Sequence, residues 1–159
     1  MDHKTLSGKI ALVTGSSRGI GRAVVERLSR EGAAVIINYL SSSDRADEVV
    51  AAITSGGGTA VALQADVSGI EGIQRLFDKT LEHFGRLDIL VNNAGVAAHA
   101  DFDQFDDEML EMIMTTNLIG AFRVARSCVK PMLAQGGGVI LNIGSISAYI
   151  ANVPQKQVA

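Results

Sequence analysis

Short apolar runs alternate with longer amphipathic stretches along this chain. Residues 10–14, 34–39, 60–63, 89–92 and 139–143 are rich in Val, Ile, Leu and Ala, and Gly, Ser or Asn flank most of them. Runs of that length and flanking chemistry predict buried strands. The intervening stretches repeat apolar residues at helical spacing. Residues 20–30 carry Ile20, Val24, Val25 and Leu28, and Gly32 closes the pattern. Ser43 is placed as the N-cap of a helix to about residue 54, ended by Gly56-Gly57-Gly58. Residues 70–84 put Ile70, Ile73, Leu76, Phe77, Leu81 and Phe84 on one face before Gly85. One long helical pattern runs from Asp106 to about residue 134, with Pro131 in its last turn. Gly136-Gly137-Gly138 leads into the fifth strand, and residues 145–159, with Pro154, read as loop. Five strands alternating with helices through right-handed crossovers predict an α/β fold. The expected architecture is a doubly wound parallel sheet, of the Rossmann kind, covered on both faces.

The 159 residues suggest one domain, and 47% apolar content is enough for a core. With aromatics at 4% and 17 glycines, that core is expected to be aliphatic. A net charge of −3 provides no field for nucleic acid or anionic lipid. Cys128 is the sole cysteine, so no internal disulfide forms, and its apolar neighbours Val124, Ala125 and Val129 predict a buried thiol. His3, His83 and His99 are scattered without metal-ligand spacing. The start of the chain has no signal-peptide pattern, and no apolar run nears the roughly 20 residues that span a bilayer. A cytoplasmic location is the default expectation.

Chemistry concentrates after the first strand. Thr14-Gly15-Ser16-Ser17-Arg18-Gly19-Ile20-Gly21 is a glycine-rich turn that opens a helix. Free backbone N–H groups and the helix dipole there favour a phosphate. Gly15 permits the sharp turn, while Gly19 and Gly21 permit close approach of a pyrophosphate and of the strand. A bare strand-to-helix turn is the simpler alternative. A second apolar strand ends in Asn92-Asn93-Ala94-Gly95, however, and parallel sheets bind ligands beyond such strand ends.

The pair Thr14-Gly15-x-x-x-Gly19-x-Gly21 and Asn92-Asn93-Ala94-Gly95 resembles the short-chain dehydrogenase/reductase family. Gly144-Ser145-Ile146-Ser147 resembles its catalytic-serine segment, and Asn117 matches its active-site asparagine by placement. The resemblance covers residues 6–159. It implies hydride transfer between a nicotinamide coenzyme and a carbonyl or alcohol. It further implies a Ser on the substrate oxygen, an Asn supporting a proton relay, and a Tyr-x-x-x-Lys pair. An ammonium one helical turn from the phenol lowers its pKa toward working pH.

No such pair exists here. Four residues after Tyr39 is Ser43, and four after Tyr149 is Val153; Lys156 lies seven beyond Tyr149. Residues 152–159 look like the lead-in to the family's acid, so the chain is expected to be C-terminally truncated. It is either part of a reductase or a nucleotide-binding or subunit-interaction module. Ser145 and Asn117, retained without their partner, favour the first reading.

For the coenzyme, NAD-specific relatives place an acid after the second strand, where this chain reads Ile37-Asn38-Tyr39-Leu40-Ser41. Arg18 offers a partner for a 2′-phosphate, with Ser41 or Ser42 hydrogen-bonding it, so NADP(H) is expected. Ser17, Ile20, Asn38 and Tyr39 join the candidate coenzyme contacts. Asp66 and Val67 match the segment bordering the adenine, although Asp66 also suits a cap before Ser68. Asn93, Ala94 and Gly95 are placed against the ribose and pyrophosphate. Ser145 is the first candidate for the substrate oxygen and Ser147 the second. Asn117, a poor helix former in mid-helix, hints at a local distortion. Asp88 is read as structural. The substrate is expected to be a small carbonyl or alcohol compound; the chain resembles both sugar-alcohol or ketose reductases and 3-oxoacyl-carrier-protein reductases. Alone, the chain is expected to be inactive, with the fifth strand as a sheet edge and Met109, Ile113, Leu118 and Phe122 exposed. A longer form is expected to be a homo-oligomer.

Overall fold

The computed structural model describes residues 4–98 and 100–146. Ser147, Tyr149, Lys156, His3 and His99, and the loop expected at 147–159, lie outside the described residues. The elements run β1 (Ile10–Val13), α1 (Gly19–Arg30), β2 (Ala34–Tyr39), α2 (Ser43–Ser55), β3 (Ala60–Gln64), α3 (Ile70–Phe84), β4 (Ile89–Asn92), α4 (Asp107–Ile113), α5 (Ala121–Ala134) and β5 (Val139–Asn142). A 3-10 turn at Phe102–Gln104 precedes α4, and a π-helical segment, Met114–Gly120, joins α4 to α5.

All the strands pair in parallel, in the order β3-β2-β1-β4-β5. Alternation along β1 builds two cores. Ile10 and Leu12 point to the layer holding Ile73, Leu76 and Phe77 of α3 and Val124, Cys128 and Met132 of α5. Ala11 and Val13 point to the layer holding Val25 of α1 and Ala46, Val49 and Ile53 of α2. The crossover through α3 carries the chain from β3 back past β1 to β4. Strand order therefore reverses between β1 and β4, which opens a crevice beyond their carboxyl ends.

Five sequence-based expectations change. The single helix from Asp106 is instead α4, a π-helical segment and α5, with Asn117 inside the π segment. A residue whose side chain bonds backbone outside its own helix tolerates that wider turn. Ser43 is the first helical residue rather than the cap, and its hydroxyl donates to Asp44 Oδ1 at 3.3 Å. Ile70 is 64% exposed because the first turn of α3 stands beyond the sheet. Ile20 is 65% exposed at the rim of the glycine turn rather than packed in the core. Met109 and Ile113 are half-buried, whereas Leu118 and Phe122 are exposed as expected, along with Leu110 and Met114.

Asp88 lies at the opposite end of the sheet from the crevice. Its carboxylate accepts from Ile10 N at 3.0 Å and from Arg86 Nε and Nη2 at 2.9 and 2.7 Å, with Lys9 Nζ at 3.5 Å. Burial pushes this carboxyl up. The bonds from Arg86 and Ile10 and the nearby cationic charges outweigh that and hold it below the usual range. This is the structural role its place in the sequence suggested. Cys128 is buried, and desolvation pushes its thiol up to about 12, which keeps it protonated as a core packing residue.

Candidate functional site

Backbone groups and three short polar side chains shape the end of β1. Thr14 Oγ1 accepts the N–H groups of both Asn93 and Ala94 at 3.0 Å, which pins the loop after β4 beside the glycine turn. Asn93 Nδ2 donates back to the carbonyls of Thr14 at 2.9 Å and Gly15 at 3.1 Å. Asn38, buried at the end of β2, accepts from Gly15 N at 3.1 Å and donates to Leu63 O at 3.3 Å and Ala65 O at 3.1 Å. Asn38 and Asn93 thus spend their amides on the strand ends beneath the crevice. Ser16 is buried and donates to Val13 O at 2.8 Å.

This bracing presents a cradle. Gly15 takes φ 62°, and a Cβ there would sit 2.9 Å from Ala94 Cα. A Cβ at Gly21 would meet Asn93 Nδ2 at 2.5 Å and Gly15 O at 2.7 Å, so α1 can reach the strand ends only without one. A Cβ at Gly19 would stand in open space, with no heavy atom within 4 Å. The first amides of α1 have no carbonyl a turn earlier to bond, and Arg18, in extended backbone, precedes them. An anion fits there, met by N–H groups and the positive end of a helix with no acidic residue in its first turn.

Two hollows flank the cradle. One, of about 360 Å³, is lined by Arg18, Ser41, Ser42, Ser43, Asp44 and Arg45 just past β2. Arg45 is a functional candidate that sequence reading missed, because a charge in the first turn of a surface helix usually signals only solvation. The other hollow, of about 490 Å³, places Tyr39 and Asp66 with Arg75 and Lys79. Asp66 Oδ1 accepts from Ser68 N at 2.8 Å and Ser68 Oγ at 2.7 Å, a turn ahead of α3; the cap of α3 is Gly69, with no side-chain bond, so Asp66 does not cap the helix. Val67 is buried beside it.

On the other side of the crevice, Asn92, Asn93, Ala94 and Gly95 share a cleft of about 560 Å³ with Asn117, Leu118, Phe122, Gly144 and Ser145. Asn117 Oδ1 accepts from Val96 N and its Nδ2 donates to Val96 O, both at 2.8 Å. The side chain thereby locks the loop after β4 onto the π-helical segment. Ser145, on the loop leaving β5, stands in the same cleft. The glycine turn thus meets the loop after β4 through Gly15 and Ala94 and through Gly21 and Asn93, and that loop shares its cleft with Asn117 and Ser145, while Arg18 lines the separate hollow past β2. Among the described residues no cluster of His, Cys, Asp or Glu could hold a metal.

Comparison with known proteins agrees with this geometry. The sequence profile of the short chain dehydrogenase family matches residues 9–157. Elsinochrome reductase 1 of Elsinoe fawcettii is 44% identical over 153 residues, which are 96% of this chain and 57% of that protein. Glucose 1-dehydrogenase 2 of Bacillus subtilis is 42% identical, over 93% of this chain and 58% of that one. A short-chain dehydrogenase/reductase structure from Serratia marcescens superposes with a TM-score of 0.89 at 38% identity, over 95% of this chain and 61% of that one. This chain thus spans a little over half the length of the curated relatives it matches. The strand order, the crevice between β1 and β4, the profile match and these relatives lead to one conclusion: the chain belongs to the short-chain dehydrogenase family.

Proposed function

We propose that this chain is the nucleotide-binding portion, with part of the active site, of an NADP(H)-dependent oxidoreductase that interconverts a carbonyl and an alcohol on a small molecule. The observation that carries the coenzyme reading is the pairing of Arg18 and Arg45 around the serine-lined hollow past β2. Two guanidinium groups suit a 2′-phosphate, and the chain leaving β2, Tyr39-Leu40-Ser41, has no carboxylate of the kind that selects NAD. Asp44 shares the hollow and limits, without cancelling, its positive character.

In this reading, the amides of Gly19, Ile20 and Gly21 hold the pyrophosphate, with Ser17 beside them. Tyr39, Asp66 and Val67 border the adenine, and Ala94 and Gly95 line the ribose side. The bound coenzyme supplies or accepts the hydride. Ser145 donates its hydroxyl proton in a hydrogen bond to the substrate oxygen, and Asn117 fixes the wall of the cleft through Val96. Relatives named as a reductase and as a dehydrogenase span both directions of such chemistry. Exposed Leu118 and Phe122 support homo-oligomeric assembly, and we treat residues 1–159 as a single dinucleotide-binding domain.

A second reading, a nucleotide-binding or subunit-interaction module, draws support from one fact: no Tyr-x-x-x-Lys occurs in the sequence. We accordingly propose that these 159 residues alone bind coenzyme without turning it over. The test of the coenzyme site is titration with NADPH and NADH. Arg18→Ala and Arg45→Ala should each weaken NADPH about tenfold or more, the worth of one charged hydrogen bond, and spare NADH. Equal losses for both nucleotides would sink the 2′-phosphate assignment.

A further inference from the structure

We infer that Asn92 is a positioning residue that sets the distance between the Asn117 and Ser145 sides of the cleft. The inference rests on the reading of those two residues as the reacting end of the site. Asn92 ends β4, where it interrupts the buried apolar run Ile89-Leu90-Val91, and it is only 6% exposed. Its Nδ2 donates to Ala121 O and to Asn142 Oδ1, each at 3.0 Å. Ala121 opens α5 directly after the π-helical segment that carries Asn117. Asn142 ends β5, three residues before Ser145, and is the register partner of Asn92. The backbone carbonyl of Asn92 also accepts Ile143 N at 2.9 Å. One side chain therefore ties the start of α5, just after the segment bearing Asn117, to the end of β5, just before the loop bearing Ser145.

The third valence of this amide argues against a purely stabilising role. Asn92 Oδ1 is buried and has no hydrogen-bond partner among the described residues. Leaving a buried carbonyl unpaired costs about as much as the two donated bonds return. An aliphatic side chain would continue the core of β4 without that cost. The ladder joins β5 to β4 and the core packs α5 on both, but an aliphatic side chain could not add a directional link from the end of β4 to both walls where they reach the cleft. A misplacement of about 1 Å at such a site can cost a hundredfold in rate.

The test compares Asn92→Ala and Asn142→Ala with the unaltered protein, in the form isolated from its source cell. The readouts are steady-state kinetics with NADPH and a carbonyl substrate, binding of 2′,5′-ADP, and backbone amide resonances. Asn92→Ala should lower kcat by about ten- to a hundredfold, while KM for NADPH and the Kd of 2′,5′-ADP stay within about twofold. The amides of Val96, Asn117 and Ser145 should shift. Asn142→Ala, at an exposed position, should reproduce the pattern at smaller amplitude, and it decides the matter if Asn92→Ala does not fold. An unchanged kcat per folded molecule, with those resonances in place, would overturn the inference. If the isolated form carries a Tyr-x-x-x-Lys pair and still reduces no carbonyl compound, the functional reading has failed instead. The resonances of Val96, Asn117 and Ser145 then decide alone: their shift upholds the link, and their constancy overturns it.

Discussion

Thr14 accepts two backbone donors with one hydroxyl, and so turns the ends of β1 and β4 into a single surface. Thr14→Val keeps the shape but leaves the Asn93 and Ala94 amides unpaired in a partly buried place. We expect a loss of about 1–3 kcal/mol in denaturant unfolding, together with weaker nucleotide binding. Unchanged stability would show that water replaces the hydroxyl without cost. Asp88 makes a prediction about pH. Its folded pKa lies below the unfolded value of about 3.9, so its contribution is present above that value and is lost as pH falls through the folded pKa. Asp88→Asn should therefore cost about 1–3 kcal/mol at neutral pH, and the gap to the unaltered chain should narrow below about pH 4. A gap that stays constant to pH 2 would rule out the carboxylate as its source. Single residues also mark the limit of sequence reading. The Gly15, Gly19 and Gly21 turn was legible because glycine spacing reports backbone geometry directly. The inward bonds of Asn38 and Asn93 were not, because they depend on where three separate strands end.

At the level of elements, every strand boundary fell within a residue of expectation, since short aliphatic runs between turn residues leave little freedom. The region after Asp106 was harder. A π-helical segment changes the period only slightly and leaves the pattern amphipathic, so the apolar spacing read as one helix. The legible sign was Asn117 itself. Its cross-link to Val96 should hold the π-helical turn in register. Asn117→Leu should free the loop after β4, speeding amide exchange at Val96 by about tenfold or more for the loss of the bond its N–H donates. Unchanged exchange at Val96 would place the anchor of that loop elsewhere. Gly120 closes the same segment, where a Cβ would lie 2.6 Å from Val67 O. Gly120→Ala should force the start of α5 away from the segment after β3 that holds Val67 and cost about 1–3 kcal/mol in thermal or denaturant unfolding. An unaltered midpoint would mean that the contact relaxes freely.

Across the whole molecule, apolar residues are distributed unevenly. Strands β1 and β4 are buried throughout, whereas Val139, Leu141 and Ile143 at the edge strand and Leu118, Phe122 and Leu133 on the helical side are exposed. Sheet edges and contiguous apolar faces promote association. Sedimentation of the 159-residue chain should show oligomers at micromolar concentration, and a strict monomer would contradict this. The same lopsidedness explains why the fold was readable while the substrate was not. The sheet and its crevice are built from local strand–turn–helix units, but the apolar side of the cleft near Ser145 has little over it among the described residues. The central claim is that the crevice between β1 and β4 takes NADP(H). Calorimetric titration of the chain with NADPH and with NADH tests it most directly. Saturable one-to-one binding is expected, with NADPH tighter by about tenfold or more from its 2′-phosphate. No binding of either nucleotide, or a preference for NADH, would contradict the account.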